Sequence, residues 1–148
     1  MIAHMVHQLA IGSALIVASA VISAVLWWVH EIVHDRASGW LREPPHVPKL
    51  LVHFCLTILW MLVMITVAVW LWAGAFRMLG VFDTLEGAVY FALVAFTTLG
   101  FGDVLLPDPW RLLSGICAAN GFLLFGLITA RFVELMRETR LMQRDYWS

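Results

Sequence analysis

The 148 residues are 62% hydrophobic and 13% charged, with a mean hydropathy of +0.89 and a formal net charge of -1. Soluble domains carry about 25% charged residues, so the composition excludes an ordinary soluble domain and predicts a chain that lives among membrane lipids. The near-zero charge offers no basic field for nucleic acid, and Cys55 and Cys117, both inside apolar runs, give neither a disulfide framework nor a metal spacing.

In chain order, residues 9–33 hold no charge before Glu31 and are long enough to cross a hydrocarbon core of about 30 Å. Ala18-Ser19-Ala20 has the small residues of a signal-peptidase site, but no Lys or Arg precedes the run and the apolar sequence continues beyond it. A retained N-terminal helix over 1–34 is therefore expected. Residues 35–49 contain Arg36, Gly39, Arg42, Pro44, Pro45 and Pro48 and predict an exposed loop. A second span follows over 50–76, and a third opens at Trp110 and runs to about Met136. Trp27, Trp28, Trp70, Trp72 and Trp110 fall near the span ends, where amphipathic rings favour the interface. Between the second and third spans, residues 83–97 begin with Asp83 and Glu86 at a spacing that suits a helix start and then stay mostly apolar, too short to cross. They predict a re-entrant helix, which can exist at membrane depth only where protein or a water-filled cavity surrounds its ends. No internal repeat or low-complexity tract divides the chain, so one membrane domain is expected.

The short helix runs directly into Thr97-Thr98-Leu99-Gly100-Phe101-Gly102-Asp103. Glycines at alternate positions let successive carbonyls point the same way, because glycine adopts backbone angles that side chains forbid. With this motif the chain resembles the potassium-channel pore superfamily, whose signature is T-x-G-[YF]-G-D. The resemblance covers about residues 50–133: Tyr90-Phe91 sits where the family carries an aromatic pair, residues 124–130 match the middle of the inner helix, and Gly121 falls at a hinge glycine.

The resemblance implies an all-α membrane protein with three transmembrane helices, a short pore helix and a selectivity-filter loop. The pore domain would occupy 50–136, with outer helix 50–79, pore helix 83–97, filter 98–103 and inner helix 109–136, followed by a tail over 137–148. It implies K+ ions held by the carbonyls of Thr98, Leu99, Gly100 and Phe101 in place of water, with the Thr98 hydroxyl closing the inner site. Thr97, Gly102, Asp103 and Tyr90 would support the filter, Tyr90 by reaching Asp103. Leu99 replaces the commoner valine and Phe101 the commoner tyrosine, and K+ selectivity is still the expectation. One filter loop per chain implies a homotetramer with fourfold symmetry, no cofactor beyond the permeating ions and no catalysis. On the inner helix Ala118, Phe122, Phe125, Thr129 and Val133 recur every three or four residues. That face either lines the cavity, with Phe125 and Val133 as apolar constrictions, or packs on a neighbouring helix, and Gly121 is either a bend or a close-packing site.

Topology can be read independently, since Lys and Arg accumulate on the cytoplasmic side. In the pore reading Arg36, Arg42, Lys49, Arg131, Arg137, Arg140 and Arg144 lie inside and Arg77 and Arg111 outside, seven against two. The extra helix then starts outside, the C-terminus lies in the cytoplasm, and the protein is multi-pass in the cell membrane. At the inner end of that helix, His30-Glu31-Ile32-Val33-His34 matches the H-E-x-x-H pattern of zinc hydrolases. Such a site needs a third ligand; Asp103 and Asp108 fall on the opposite side, and Asp35, Glu43, His46 and His53 fall in no familiar spacing. Three readings stand: polar residues closing a span, a metal or proton site on His30 and His34, and a membrane metalloprotease. A non-conducting channel subunit is a further alternative. No helix carries the spaced arginines of a voltage sensor, and the first helix is expected to be peripheral, packed on the outer helix of its own or a neighbouring subunit.

Overall fold

The structure is a computed structural model in which residues 2–144 are described. Four α-helices carry the fold: α1 (Ile2–Arg42), α2 (His46–Met78), α3 (Leu85–Phe96) and α4 (Arg111–Arg144), the last preceded by a single 3-10 turn, Asp108–Trp110. The described residues contain no strand. α1, α2 and α4 are each long and apolar enough to cross a membrane. α3, with 12 residues, rises about 18 Å and cannot.

The loop expected over 35–49 shrinks to residues 43–45, because α1 continues to Arg42 and α2 begins at His46. Between Asp35 and Arg42 the only weak helix former is Gly39, worth about 1 kcal/mol against helix. Pro48 is the third residue of α2, where its missing N–H leaves no intrahelical bond unmade. Lys49 completes the junction: its Nζ donates to the carbonyls of Trp40 (2.6 Å) and Glu43 (2.9 Å) and lies over the Trp40 ring. A cation on the orphan carbonyls at the C-terminal end of α1 is favoured by hydrogen bonding and by the helix dipole. Lys49→Met is expected to destabilise the junction by about 1–2 kcal/mol, read as a lower denaturation midpoint in detergent.

α4 likewise continues past the expected end at Met136 to Arg144, and residues 145–148 of the expected tail lie outside the described residues. α3 starts later than expected, capped by the Thr84 hydroxyl, which accepts from the Gly87 N–H at 3.1 Å. Asp83 precedes this cap, and Glu86 lies in the first turn, where the dipole favours an acid.

The core lies where α2, α3 and α4 meet. α2 presents Met64, Ala68, Trp72 and Phe76, α3 presents Ala88, Ala92 and Phe96, and α4 presents Leu113, Cys117, Leu124 and Ile128. Each set repeats near one helical turn. Lipid tails are as apolar as these side chains, so packing rather than transfer from water drives such contacts. The small Ala73, Ala88 and Ala92 accordingly leave room for the fully buried Trp72, Phe76 and Phe96.

α1 is not confined to the outer helix. It runs parallel to α4 and meets it at three depths. Gln8 Oε1 accepts from the Leu113 N–H at 3.3 Å, satisfying an otherwise unpaired donor in the first turn of α4. Gly12 faces Ile116 so closely that an added Cβ would lie 2.7 Å from its side chain. Near the far end, Glu31 forms an ion pair with Arg131. Against α2, α1 accepts the Trp60 indole N–H at the Leu26 carbonyl, 3.2 Å away.

Candidate functional site

α3 ends by tightening rather than by stopping. The Thr97 N–H bonds the Leu93 carbonyl, the Thr98 N–H bonds that of Ala95, and the N–H groups of Leu99 and Gly100 both reach the Val94 carbonyl at 3.1 and 3.3 Å. The Thr97 hydroxyl also donates to Leu93 at 2.8 Å. This network fixes the start of the 98–103 segment to the end of the helix.

From there the backbone alternates in handedness. Thr98, Gly100 and Gly102 have φ of 58°, 56° and 76°, whereas Leu99 and Phe101 are not in that region. Among the described residues Thr98 is the only non-glycine with positive φ. For a β-branched residue that conformation costs about 1–2 kcal/mol. Left-handed residues at every second position turn successive peptide carbonyls toward one side instead of alternating them, so residues 98–102 form an oxygen-rich strip. The C-terminal end of α3 adds the negative pole of its dipole to the start of that strip. Backbone carbonyls directed to one side are a donor set that suits a cation stripped of water.

Asp103 closes the segment by accepting from the Tyr90 hydroxyl at 2.6 Å, a brace between α3 and the end of the strip. The same hydrogen bond raises the Tyr90 phenol above its ordinary pKa, keeping it a donor. Tyr90→Phe removes only that donor. It is expected to speed amide exchange at Phe101–Asp103 while leaving helix content unchanged, which hydrogen-exchange mass spectrometry and circular dichroism together would read.

Much of this segment is uncovered in one chain. Leu99 and Phe101 are 56% and 66% exposed. A cavity of about 390 Å³, bordered by Thr98, Gly100 and Gly102 on one side and Gly115 and Ala118 on the other, is left open beside them. On α4, Phe122, Thr129 and Val133 are exposed, and Ala118 is half-buried. Phe125 is also half-buried, because its ring leans edge-on against Phe96 at 6.0 Å. Gly121 sits in an unbroken helix against the end of α3, where an added Cβ would fall 1.7 Å from the Phe96 carbonyl oxygen. Asn120 is buried, and its amide nitrogen has no hydrogen-bond partner among the described residues.

The HEIVH residues separate by face. His30 lies between Trp27 and Trp60, with ring centroids 5.2 and 5.8 Å away, and His34 lies 4.8 Å from His53 of α2. Glu31 turns instead to α4, where it takes Arg131 and the Trp27 indole N–H. A hydrolase needs that glutamate free to hold water, and here a guanidinium occupies it. Among the described residues no three His, Cys, Asp or Glu side chains converge as metal ligands. Glu31–Arg131 is the polar tie that sequence reasoning missed, since partners 100 residues apart leave no periodic signal.

A family model described as an ion channel matches residues 58–138, from the middle of α2 through most of α4, leaving α1 outside. No curated protein and no solved structure matches the chain.

Proposed function

Because the chain belongs to the ion-channel family, we propose that it is a potassium-selective channel that conducts K+ passively through a homotetrameric pore. The observation that carries this reading is the alternating backbone at Thr98, Gly100 and Gly102, set on the C-terminal end of a helix too short to span. Carbonyls of Thr98, Leu99, Gly100 and Phe101 from four copies replace the hydration shell of the ion. Thr97 holds the strip to α3, Gly102 and Asp103 form its outer mouth, and Tyr90 braces it.

One chain cannot surround an ion, and the exposed Leu99 and Phe101 beside an unfilled cavity support assembly with further copies. In the tetramer Phe122, Thr129 and Val133 line the water-filled cavity below the filter. Gly121 acts there as a packing glycine, and Phe125 supports the base of α3. The N-terminus is outside and the C-terminus cytoplasmic, which places Lys49, Arg131 and Arg137 on the inner side.

The reading is tested by reconstituting the purified protein in liposomes and following K+ efflux, with native mass measurement of the same preparation. The expected results are K+ efflux exceeding Na+ efflux and a mass of four 16.7 kDa chains. A monomer, or liposomes no leakier than protein-free ones, contradicts it.

A further inference from the structure

Three histidines meet where α1 packs on α2. His30, His34 and His53 are 7%, 6% and 8% exposed. One ring nitrogen of each, Nδ1 of His30 and of His34 and Nε2 of His53, is buried without a hydrogen-bond partner among the described residues. The rings of His34 and His53 lie across the seam from each other, with centroids 4.8 Å apart, and His30 lies one turn along α1 between Trp27 and Trp60. His34 also shares a cavity wall with Glu31, Asp35, Arg131, Glu134 and Glu138, so the cluster lies at the level where charged side chains begin and water is within reach. With 41 residues α1 rises about 60 Å, far more than a hydrocarbon core of about 30 Å, so its last turns extend beyond the lipid tails.

Protonation changes what these rings require. A neutral imidazole has one N–H, whereas an imidazolium has two and a charge, and a buried donor or charge without a partner is costly. The surroundings of the three rings differ. His30 has two indole rings beside it, which accept a cation. His34 has Asp35, Glu138 and Glu31 acting on it, although Glu31 is already paired with Arg131. A first proton on His34 therefore meets carboxylates. His53 meets none among the described residues: His34 and His30 are the titratable groups that act on it. On its own helix, His46 and Lys49 precede it by two turns and one turn, a further imidazole and a cation. A second proton, on His53, thus places like charges side by side with no acceptor between them. Separating α1 from α2 removes both penalties, because water then solvates each ring.

We propose that the His34–His53 contact is an acid-released joint, which holds the inner end of α1 on α2 while the pair is neutral and frees it when both rings are protonated. The docked state then binds fewer protons than the released one. Docking is therefore complete above the ordinary imidazole pKa of about 6.5 and weakens as pH falls below it, by about tenfold per pH unit for each ring that must shed a proton to dock. Ordinary carboxylates titrate about two units lower and add nothing in that window. α1 lies outside the residues matched by the ion-channel model, and the joint stands or falls separately from conduction.

Hydrogen-exchange mass spectrometry of the full-length protein in nanodiscs, at about pH 7.5 and about pH 5.5 and corrected for the intrinsic pH dependence of exchange, reads the joint directly. Peptides over 35–42 and 46–52 should exchange about tenfold faster at the lower pH, while those over 111–124 in α4 should not change. His53→Leu, which cannot take the second proton, should stay protected at both pH values. His34→Leu removes the facing charge instead and should do the same, so a folding defect in either variant leaves the other as the test. His7→Leu, at an exposed histidine near the opposite end of α1, should retain the full response. Equal corrected exchange of the wild-type protein at the two pH values, or a response that survives in both His53→Leu and His34→Leu, would overturn the proposal.

Discussion

Gly121→Ala is expected to prevent normal assembly of the protein. The added methyl would lie 1.7 Å from the Phe96 carbonyl oxygen and 2.6 Å from its carbon, far inside van der Waals contact. Both neighbours are backbone atoms, so no side chain can rotate away. α4 must move off the end of α3, opening the layer formed by Phe96, Leu124 and Phe125. Overpacking a core with side-chain neighbours costs about 1–3 kcal/mol, and this backbone collision should reach or exceed the upper end. Gly126→Ala is the matched control: nothing lies within 4 Å of its added Cβ, and alanine favours helix by about 1 kcal/mol. Size-exclusion profiles and denaturation midpoints should show Gly121→Ala depleted of assembled protein and Gly126→Ala unchanged or more stable. If Gly121 served only as a hinge, its alanine variant would assemble normally and change only the open fraction.

Gly100→Ala is expected to have the opposite profile, normal assembly with conduction lost. No heavy atom lies within 4 Å of a Cβ at Gly100, yet its φ of +56° disfavours any L side chain by about 1–2 kcal/mol. Relaxing that strain means rotating the peptide on one side of position 100, which turns a carbonyl out of the strip. In the proposed fourfold filter the defect is repeated in every copy. K+ efflux from liposomes should fall by at least about tenfold at unchanged tetramer yield. Thr98 already carries comparable strain as a β-branched residue, so the motif has little tolerance for more.

The positions of the spans were legible because bilayer thickness imposes a length and polar residues interrupt the apolar runs. The short helix was legible for the same reason, as was the place of the turn at Gly100 and Gly102. The positive φ of Thr98 was not, since nothing about threonine announces it. Pro44 and Pro45 do mark the break between α1 and α2, but a single glycine at position 39 is too weak to end a helix, so the loop is shorter than the span of 35–49. Lys49 capping α1 is a contact across the turn and has no local signature. The placement of α1 on α4 depends on Gln8, Gly12 and Glu31, three isolated residues without periodicity. HEIVH shows the limit most sharply: its spacing puts His30 and His34 on one face, but only the neighbouring helices decide that Glu31 belongs to Arg131.

The central claim is that residues 98–101 form a filter that prefers K+. Its most direct test is the reversal potential of the purified protein in a planar bilayer, with K+ on one side and Na+ at equal activity on the other. The expected result is a reversal far from zero in the direction set by K+, corresponding to at least about tenfold preference. Measurable current through the protein that reverses at zero would contradict it.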